Sequence, residues 1–370
     1  TRMIKQETNG WCPSTLVPLM SGDGLLVRIK PAFGRLTSHQ AQKLALLSKR
    51  HGNGLIDITN RGNLQIRGIE EANYSIVFKD LQDSGIAAPN KALDGLNLML
   101  SPFTARLSLG WRCAEALYNI TNEFPPLPPK FGFTIDCESL RYLQDASTDI
   151  RIETDRTGRL LIRFDGCNQG YLSSEETFQS DILRALRWFA DLQNKNSFYS
   201  RMHQLITNSA VPKIFTTTMP CKNTRPLYPG LKKNWQVIAV PFGQMTAEQL
   251  LEIADETLEI IFSINRCLII SSTAKVSQQF ITSKDDLRYN VTACAGMPAC
   301  KSASIPAKQI ASTICENQAI LVGKSYHISG CNKGCAKPTN SDICIIGKNG
   351  SYNMLENGCA WDKPSFISLS

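Results

Sequence analysis

Residues 25–68, LLVRIKPAFGRLTSHQAQKLALLSKRHGNGLIDITNRGNLQIRG, contain the pattern that decides the fold. An apolar strand from Leu25 to Ile29 is predicted to end in a Phe-Gly turn. Thr37 then stands before an amphipathic segment, and Gln40 follows it by three residues. This spacing is that of a capping box, which satisfies the free N–H groups at a helix N-terminus. The stretch therefore predicts a strand, a turn, a helix and a second strand.

The same pattern occurs again at residues 235–271, WQVIAVPFGQMTAEQLLEIADETLEIIFSINRCLIIS. The offset between the copies is 209 residues from Phe33 to Phe242, but 205 residues from Arg61 to Arg266. We therefore expect a deletion of four residues, located in the loop from helix to strand. Each helix carries an apolar stripe that should face the core, formed by Ala41, Leu44 and Leu47 in the first copy and Leu250, Ile253 and Ala254 in the second.

Two strand–helix–strand units predict an α+β protein whose half-units pack about a pseudo-two-fold axis. Between the copies, FGFTIDC, DIRIET and RLLIRFDG predict strands, and TFQSDILRALRWFADLQ predicts a helix. After the second copy, DICIIGKNGSYNMLENG predicts a hairpin that turns at residues 348–350. The Pro-rich stretch FPPLPPKF at 124–131 is interpreted as a boundary. The predicted regions are a first half-unit, a middle α/β region, a second half-unit and a terminal cysteine-rich region, at residues 1–125, 126–230, 231–285 and 286–370.

The composition is that of an ordinary globular chain, with 370 residues of which 42% are hydrophobic and 19% charged. No apolar run approaches the roughly 20 residues that span a bilayer. The segment TRMIKQETNG lacks an apolar signal core, so export is not expected. The thirteen cysteines, an odd number, suit a reducing compartment and predict a cytoplasmic protein.

The net charge of +8 does not predict nucleic-acid binding, because the chain has no Lys/Arg block and no nucleic-acid motif. A polyanionic small molecule could explain the basic bias, since Arg and Lys bind carboxylates. A solvated basic surface explains the bias equally well.

Four of the cysteines form two local pairs. NVTACAGMPACKSASIP contains a Cys-x5-Cys pair and HISGCNKGCAKP contains a Cys-x3-Cys pair, which are Cys294 with Cys300 and Cys331 with Cys335. Four thiolates can hold Zn²⁺ or an iron–sulfur cluster. The long first spacer favours a cluster over the usual tight zinc turn, with zinc and coincidence as the alternatives. Gly330 and Gly334 would allow close backbone approach to such a group.

The duplicated unit and the cysteine pairs together resemble the nitrite and sulfite reductase family. TNRGNLQIRG at 59–68 is similar to the family's T-x-R-x-x-x-Q-x-x-G strand, and LPPKF at 127–131 to its L-P-R-K-F segment. The resemblance covers nearly the whole chain and implies ferredoxin-like half-units beside α/β domains that bind a cluster and a tetrapyrrole. It also implies that Cys294, Cys300, Cys331 and Cys335 hold a [4Fe–4S] cluster, the last of them bridging to sirohaem iron in the reductases.

Two departures from the reductase pattern affect the expected activity. Sulfite reductases commonly read K-F-K after the proline, whereas here Lys130 is followed by Phe131 and Gly132. Their further arginine has no clear counterpart in GLNLMLSPF. A pocket without these cations suits the compact charge of sulfite or nitrite poorly. A small sirohaem-dependent sulfite or nitrite reductase is therefore the alternative reading, and a non-enzymatic iron–sulfur electron carrier is the second alternative.

Three stretches closely resemble one branch of the family, the precorrin-3B synthases of aerobic cobalamin biosynthesis: GWCPSTLVPLMSGDGLLVRIKP, HGNGLIDITNRGNLQIRG and ISGCNKGCAKP. This resemblance implies O₂-dependent hydroxylation of precorrin-3A at C20 with γ-lactone formation. It also implies a mononuclear non-haem iron beside the [4Fe–4S] cluster. The chain has no G-x-G-x-x-G motif after a strand. Electrons from NADH are therefore expected to arrive through a separate reductase.

We expect precorrin-3A, a polycarboxylate tetrapyrrole, to occupy the place where the reductases hold sirohaem, close to Cys335. The candidate side chains for its acetate and propionate groups are Arg61, Arg67, Lys130 and Arg151. For Arg67 and Arg151, which alternate with apolar residues on predicted strands, surface ion pairing is the alternative.

Ligands for the mononuclear iron are not predicted. The chain has only four histidines and no H-x-D/E motif, and the histidines are His39, His51, His203 and His327. His327, four residues before Cys331, is the one to test first. The other nine cysteines have no spacing signal and are expected to be small buried hydrophobes, namely Cys12, Cys113, Cys137, Cys167, Cys221, Cys267, Cys315, Cys344 and Cys359.

Overall fold

The computed structural model describes residues 13–195, 199–317 and 322–362. Cys12 and the preceding residues lie outside the described part of the chain. Among the described residues, no helix combines the length and apolar character that crossing a membrane requires.

Short strands and mostly short helices alternate along these ranges. The strands are β1 Leu19–Ser21, β2 Gly24–Ile29, β3 Arg35–Thr37, β4 Leu55–Ile58, β5 Leu64–Ile69, β6 Leu98–Leu100, β7 Phe133–Asp136, β8 Ile150–Thr154, β9 Leu160–Phe164, β10 Tyr171–Leu172, β11 Gly230–Leu231, β12 Trp235–Ala239, β13 Gln244–Thr246, β14 Glu259–Phe262, β15 Cys267–Ser271, β16 Val291–Ala293, β17 Tyr326–Ser329, β18 Ser341–Lys348 and β19 Ser351–Gly358. The helices are α1 Ser38–His51, α2 Tyr74–Asp83, α3 Lys91–Gly95, α4 Leu109–Asn119, α5 Phe178–Lys195, α6 Met202–Asn208, α7 Ala247–Glu256 and α8 Ala307–Glu316.

The two repeated units exchange a short strand with each other. One sheet has the order β1-β2-β5-β4-β13 and another has the order β11-β12-β15-β14-β3. In the first sheet Met245 of β13 pairs with Ile56 of β4, and in the second Leu36 of β3 pairs with Ile260 of β14. The apolar faces of α1 and α7 belong to one buried cluster shared by both units. This reciprocal exchange confirms the predicted pseudo-two-fold packing.

The local signals in each copy are also confirmed. Thr37 and Thr246 cap α1 and α7, and in both cases the glutamine three residues later completes a capping box. The Phe-Gly turns are repeated as well, since Phe33 and Phe242 both have φ of 55°.

The position predicted for the deletion is wrong. Helix α1 has 14 residues and α7 has 10, so the four missing residues come from the helix and not from the loop. Four residues are close to one helical turn of about 3.6 residues. The shorter helix therefore keeps its apolar face towards the core.

The regions outside the half-units repeat a second topology. In one sheet β6, β7 and β8 are parallel and β9 is antiparallel, while in the other β16, β17 and β18 are parallel and β19 is antiparallel. Helix α4 connects β6 to β7, just as α8 connects β16 to β17. The pseudo-symmetry therefore extends beyond the two half-units.

The sheet formed by β6 to β10 extends across the boundary drawn at residues 125 and 126. Strand β6 precedes the Pro-rich stretch but pairs with β7, which follows it. The Pro-rich stretch resembles a linker in composition, yet it lies inside one sheet unit. The strands predicted in the middle region, helix α5 and the β18–β19 hairpin turning at Asn349-Gly350 are all present.

Candidate functional site

Both cysteine pairs lie at the carboxyl edge of the sheet formed by β16 to β19. Cys294 directly follows β16, and Cys331 stands two residues after the end of β17. These strands are parallel neighbours, with Ala293 paired to Ile328, so their carboxyl ends meet at one edge. The thiol of Cys335 lies within electrostatic range of the three other cysteines. The structure therefore places the four sequence-predicted cysteines in one region of the protein.

The backbone around these cysteines fits a bound metal–sulfur group. The N–H of Gly330 donates to the Sγ of Cys294 at 3.0 Å. A Cβ at Gly330 would lie 2.5 Å from the Cβ of Ala303. At Gly334, where φ is 59°, a Cβ would lie 2.8 Å from the ring of Trp361. The loops are thus packed too closely against Ala303 and Trp361 for side chains at either glycine.

Burial and mutual repulsion raise the pKa of two of the thiols. Burial raises the pKa of Cys294, and the neighbouring Cys300 and Cys331 add to the effect. The pKa of Cys335 is raised by burial and by the other three cysteines. Positive charge from iron would offset this repulsion, so the donor set fits a cluster. Within the described residues, no three His, Cys, Asp or Glu side chains are placed to hold a single metal ion.

A buried carboxylate connects the cysteine region to both half-units. Asp57 of β4 accepts a hydrogen bond from the Nζ of Lys308 at 2.5 Å, from the Nε2 of Gln244 at 2.8 Å and from the Nη1 of Arg67 at 3.4 Å. Burial lowers the pKa of Lys308, while Asp57 opposes that shift. Burial also lowers the pKa of Arg266 to about 10. Asp57 therefore offsets several buried cations at the junction of three regions.

Sequence reasoning missed this junction. Lys308 lies on α8, where one lysine in an amphipathic helix gives no signal of burial. Asp57 did give a signal, because it is the one charged residue in the otherwise apolar strand Leu55–Ile58. A charge in such a strand indicates a buried partner.

Two of the four predicted substrate-binding residues, Arg67 and Arg151, are buried and form hydrogen bonds within the protein. Arg67 is 3% exposed and donates to Asp23, Asp57, Ser21 and the carbonyl of Ala299. Arg151 is 6% exposed and donates to Asp165 and to the carbonyls of Leu143 and Ala146. Strands β5 and β8 are buried on both faces, which explains why alternation with apolar residues did not place either guanidinium at a surface.

The other two predicted residues lie side by side. The Nη1 and Nη2 atoms of Arg61 both donate to the carbonyl of Lys130, at 3.2 Å each. The side chain of Lys130 is exposed, and that of Arg61 is partly buried. Asn60, next to Arg61, donates to the carbonyl of Ala336 at 2.7 Å. Because Ala336 follows Cys335, this contact ties the Arg61 turn to the second cysteine pair.

His327 is completely buried on β17. Its Nδ1 lies 3.8 Å from the Sγ of Cys344. Its Nε2 has no hydrogen-bond partner among the described residues. Burial, with Lys337 and Arg266 nearby, lowers its pKa to about 4. The histidine is therefore neutral near pH 7, and the contacts do not make it part of a metal site.

One segment of this chain matches a known family model, and nearly the whole chain aligns with a known protein. Residues 18–84 match the family model described as the nitrite/sulfite reductase ferredoxin-like half domain. The chain is 25% identical to precorrin-3B synthase from Sinorhizobium sp over 423 aligned residues, which cover 98% of this chain and 86% of that protein. The fold superimposes on the Mycobacterium tuberculosis NirA protein with a TM-score of 0.67. Residues 18–84 are therefore similar to the ferredoxin-like half domain of nitrite and sulfite reductases.

The similarity to NirA and to a ferredoxin–nitrite reductase is more limited. The NirA superposition covers 89% of this chain and 73% of NirA at 17% identity, so it supports the fold alone. A ferredoxin–nitrite reductase from Leptolyngbya laminosa is 33% identical over 94 residues, which are 25% of this chain and 18% of that protein. The predicted α+β fold of the nitrite/sulfite reductase type is confirmed.

Proposed function

We propose that this chain is a monooxygenase of aerobic cobalamin biosynthesis that converts precorrin-3A to precorrin-3B. The observation that carries the proposal is similarity to a precorrin-3B synthase over 98% of the chain. In this reaction C20 is hydroxylated and a γ-lactone is closed. One atom of O₂ enters the macrocycle, and the other leaves as water after accepting two electrons and two protons from a donor.

We propose that the four clustered cysteines hold a [4Fe–4S] cluster. Such a cluster would supply one-electron transfer when bound. The hydrogen bond that the N–H of Gly330 donates to the Sγ of Cys294 supports this assignment. NADH is the proposed electron source, acting through a separate reductase. A mononuclear non-haem iron remains part of the proposal, with no ligands assigned to it.

We propose Arg61 and Lys130 as the residues that bind the substrate carboxylates. They are adjacent, Lys130 is exposed, and Asn60 links their turn to the residue after Cys335. Arg67 and Arg151 are proposed to stabilise the protein around the site and not to bind substrate, because their guanidinium groups donate hydrogen bonds to other residues of the protein. The substrate would then lie beside the second cysteine pair, in a cytoplasmic enzyme that needs no contact with membrane or nucleic acid.

The decisive experiment is a single incubation with two readouts. Anaerobically reconstituted protein is mixed with precorrin-3A, reductant and ¹⁸O₂, and the tetrapyrrole is analysed by mass spectrometry. We expect a gain of one labelled oxygen. Cys335→Ser should lose iron, sulfide and turnover together, whereas Cys221→Ser, in the middle region, should keep them. Unchanged precorrin-3A despite a full complement of iron and sulfide would contradict the proposal.

The substrate-binding pair is tested by equilibrium binding of precorrin-3A. Losing one charge-assisted hydrogen bond to a carboxylate weakens binding about tenfold. We expect a loss of this size for Arg61→Ala and for Lys130→Ala. The control is Arg159→Ala, which removes an arginine whose side chain is 60% exposed and paired with Asp155 in the middle region. Equal affinity for all three variants would refute the assigned pair.

A sirohaem-dependent reductase is the second candidate, favoured by the 94-residue match to a ferredoxin–nitrite reductase. The purified protein discriminates between the two, because bound sirohaem absorbs strongly in the red and a cluster alone does not. Similarity to an enzyme along the whole chain makes a simple electron carrier the weaker alternative.

A further inference from the structure

The carbonyl oxygen of Ala299, directly before Cys300, accepts three hydrogen bonds from the first half-unit. The N–H of Gly22 donates at 3.1 Å, the Oγ of Ser21 at 2.5 Å and the Nη2 of Arg67 at 2.9 Å. Ser21 and Gly22 lie at the turn between β1 and β2, more than 270 residues away along the chain. We call these three donors the Ala299 clasp.

The clasp is a close fit at the backbone level. A Cβ at Gly22 would lie 2.1 Å from the carbonyl oxygen of Pro298, so any other residue there would push the two loops apart. The turn and the Pro298–Ala299 peptide are therefore in direct contact. Beyond it, the N–H of Cys300 donates to the carbonyl of Gly296 at 2.8 Å, which closes the loop that carries this cysteine.

Arg67 is itself held in one orientation. Its Nε and Nη2 donate to the two carboxylate oxygens of Asp23, at 3.0 and 3.1 Å. Its Nη1 faces Asp57 at 3.4 Å, and its side chain is only 4% exposed. A planar guanidinium with a bidentate carboxylate partner has little freedom left. The Nη2–Ala299 contact is therefore set by the first half-unit and not by the cysteine loop.

We propose that Arg67 is a positioning residue, which places Cys300 for cluster binding through the Ala299 clasp. This proposal rests on the proposed cluster and gives Arg67 a role other than contact with substrate. Ligands of a bound group must be held within about 0.5 Å of their working geometry by supporting contacts. The cysteine loop has this support from the β1–β2 turn and Arg67.

The first test uses the protein without metal and reads the reactivity of Cys300 itself. Native apo-protein is alkylated with iodoacetamide, and the rate at each cysteine is measured by peptide mass spectrometry. We expect Arg67→Gln to raise the rate at Cys300 about tenfold, which corresponds to one lost charge-assisted hydrogen bond. Ser21→Ala, which keeps every ion pair, should raise it about threefold. The rate at Cys221 should stay unchanged in both.

Arg163→Gln is the matched control. Arg163 is also buried, also forms a bidentate pair, here with Glu153, and also donates to a carbonyl, that of Cys167. Arg163 lies on β9, in the sheet formed by β6 to β10. Its replacement should leave the alkylation rate at Cys300 unchanged even if it lowers the melting temperature. An unchanged Cys300 rate in both Arg67→Gln and Ser21→Ala would overturn the proposal. An equal increase in Arg163→Gln would also overturn it, because the effect would then be general destabilisation.

The second test uses reconstituted protein. We expect Arg67→Gln to release iron to a chelator about tenfold faster than wild type and to alter the electron paramagnetic resonance spectrum of the reduced protein. Arg163→Gln should change neither. If wild-type protein binds no iron or sulfide, the proposed function fails, while the alkylation rates still decide whether the clasp positions Cys300.

Discussion

Replacing Asp57 with asparagine keeps the size of a buried side chain but removes its charge. In the wild type, the Nζ of Lys308 lies 2.5 Å from one oxygen of Asp57, and the Nη1 of Arg67 lies 3.4 Å from the other. The exposed fractions of the three side chains are 16% for Lys308, 4% for Arg67 and 9% for Asp57. The variant therefore leaves Lys308 enclosed without its counter-charge, whereas Arg67 keeps its bidentate pair with Asp23.

The expected loss is large. Removing one partner of a buried ion pair costs about 3–5 kcal/mol, because the other charge stays buried and uncompensated. At about 2.1 cal/mol/K per residue, the unfolding entropy of 370 residues is about 0.8 kcal/mol/K. The melting temperature of Asp57→Asn should therefore fall by about 4–6 °C. Asp285→Asn, at a carboxylate that is 77% exposed beside Lys284, should change it by less than about 1 °C.

Scanning calorimetry of four proteins tests the reasoning: wild type, Asp57→Asn, Lys308→Met and the double variant. Because Lys308→Met removes the uncompensated charge, the double variant should melt above Asp57→Asn. Two results would refute the assigned coupling. One is a melting temperature of the double variant that falls by the sum of the two single falls, and the other is a fall of less than about 1 °C in the melting temperature of Asp57→Asn.

The pH dependence gives an independent check. Burial lowers the pKa of Lys308 from 10.5, so the folded state binds fewer protons than the unfolded state as pH approaches that value. Raising the pH through this window therefore stabilises the fold. In Asp57→Asn the pKa of Lys308 falls further, because the carboxylate that raises it is gone. The rise in stability with pH therefore begins at lower pH in the variant. The difference in melting temperature from the wild type should shrink as pH rises from about 7 to about 10.

Two other predictions concern the cysteine region. The pKa of His327 is about 4 in the folded state and 6.5 in the unfolded chain, so the unfolded chain takes up the proton first. The free energy of unfolding should therefore fall by about 2 kcal/mol as the pH is lowered from about 7 to about 5. His327→Gln should remove this loss in thermal melts, whereas His203→Gln, at a histidine with a 51% exposed side chain, should retain it. Gly334→Ala should cost about 1–3 kcal/mol and change the fluorescence of Trp361, since its Cβ would meet the indole. Gly158→Ala, at a φ of 85° with open space around it, should cost less, and equal melting temperatures would contradict the contact.

Much of the local structure could be predicted because its signals act over a few residues. The capping boxes at Thr37 and Thr246 and the turn at Asn349-Gly350 each depend on residues within one turn or hairpin. The exchange of β3 and β13 could not be predicted in the same way. These strands have three residues each, too few to show a periodicity, and Leu36 pairs with a residue 224 positions later.

The roles of the arginines show the same limit at the candidate site. Arg61 and Arg67 lie six residues apart on one predicted motif, yet one contacts a carbonyl beside an exposed lysine and the other is enclosed by Asp23 and Asp57. Sequence pattern placed both on the same strand segment. It carried no information about which of them would be covered by a distant loop.

The sequence by itself determined the duplicated half-units, their helix caps and the spacing of the two cysteine pairs, whereas the structure placed these pairs at one sheet edge. Only the tertiary structure decided which strands are exchanged, that Asp57 joins Lys308 across 251 residues of chain, and that Arg67 supports the loop of Cys300. Periodicity and capping depend on neighbours along the backbone, whereas the partner of a buried charge depends on which distant segments fold against it.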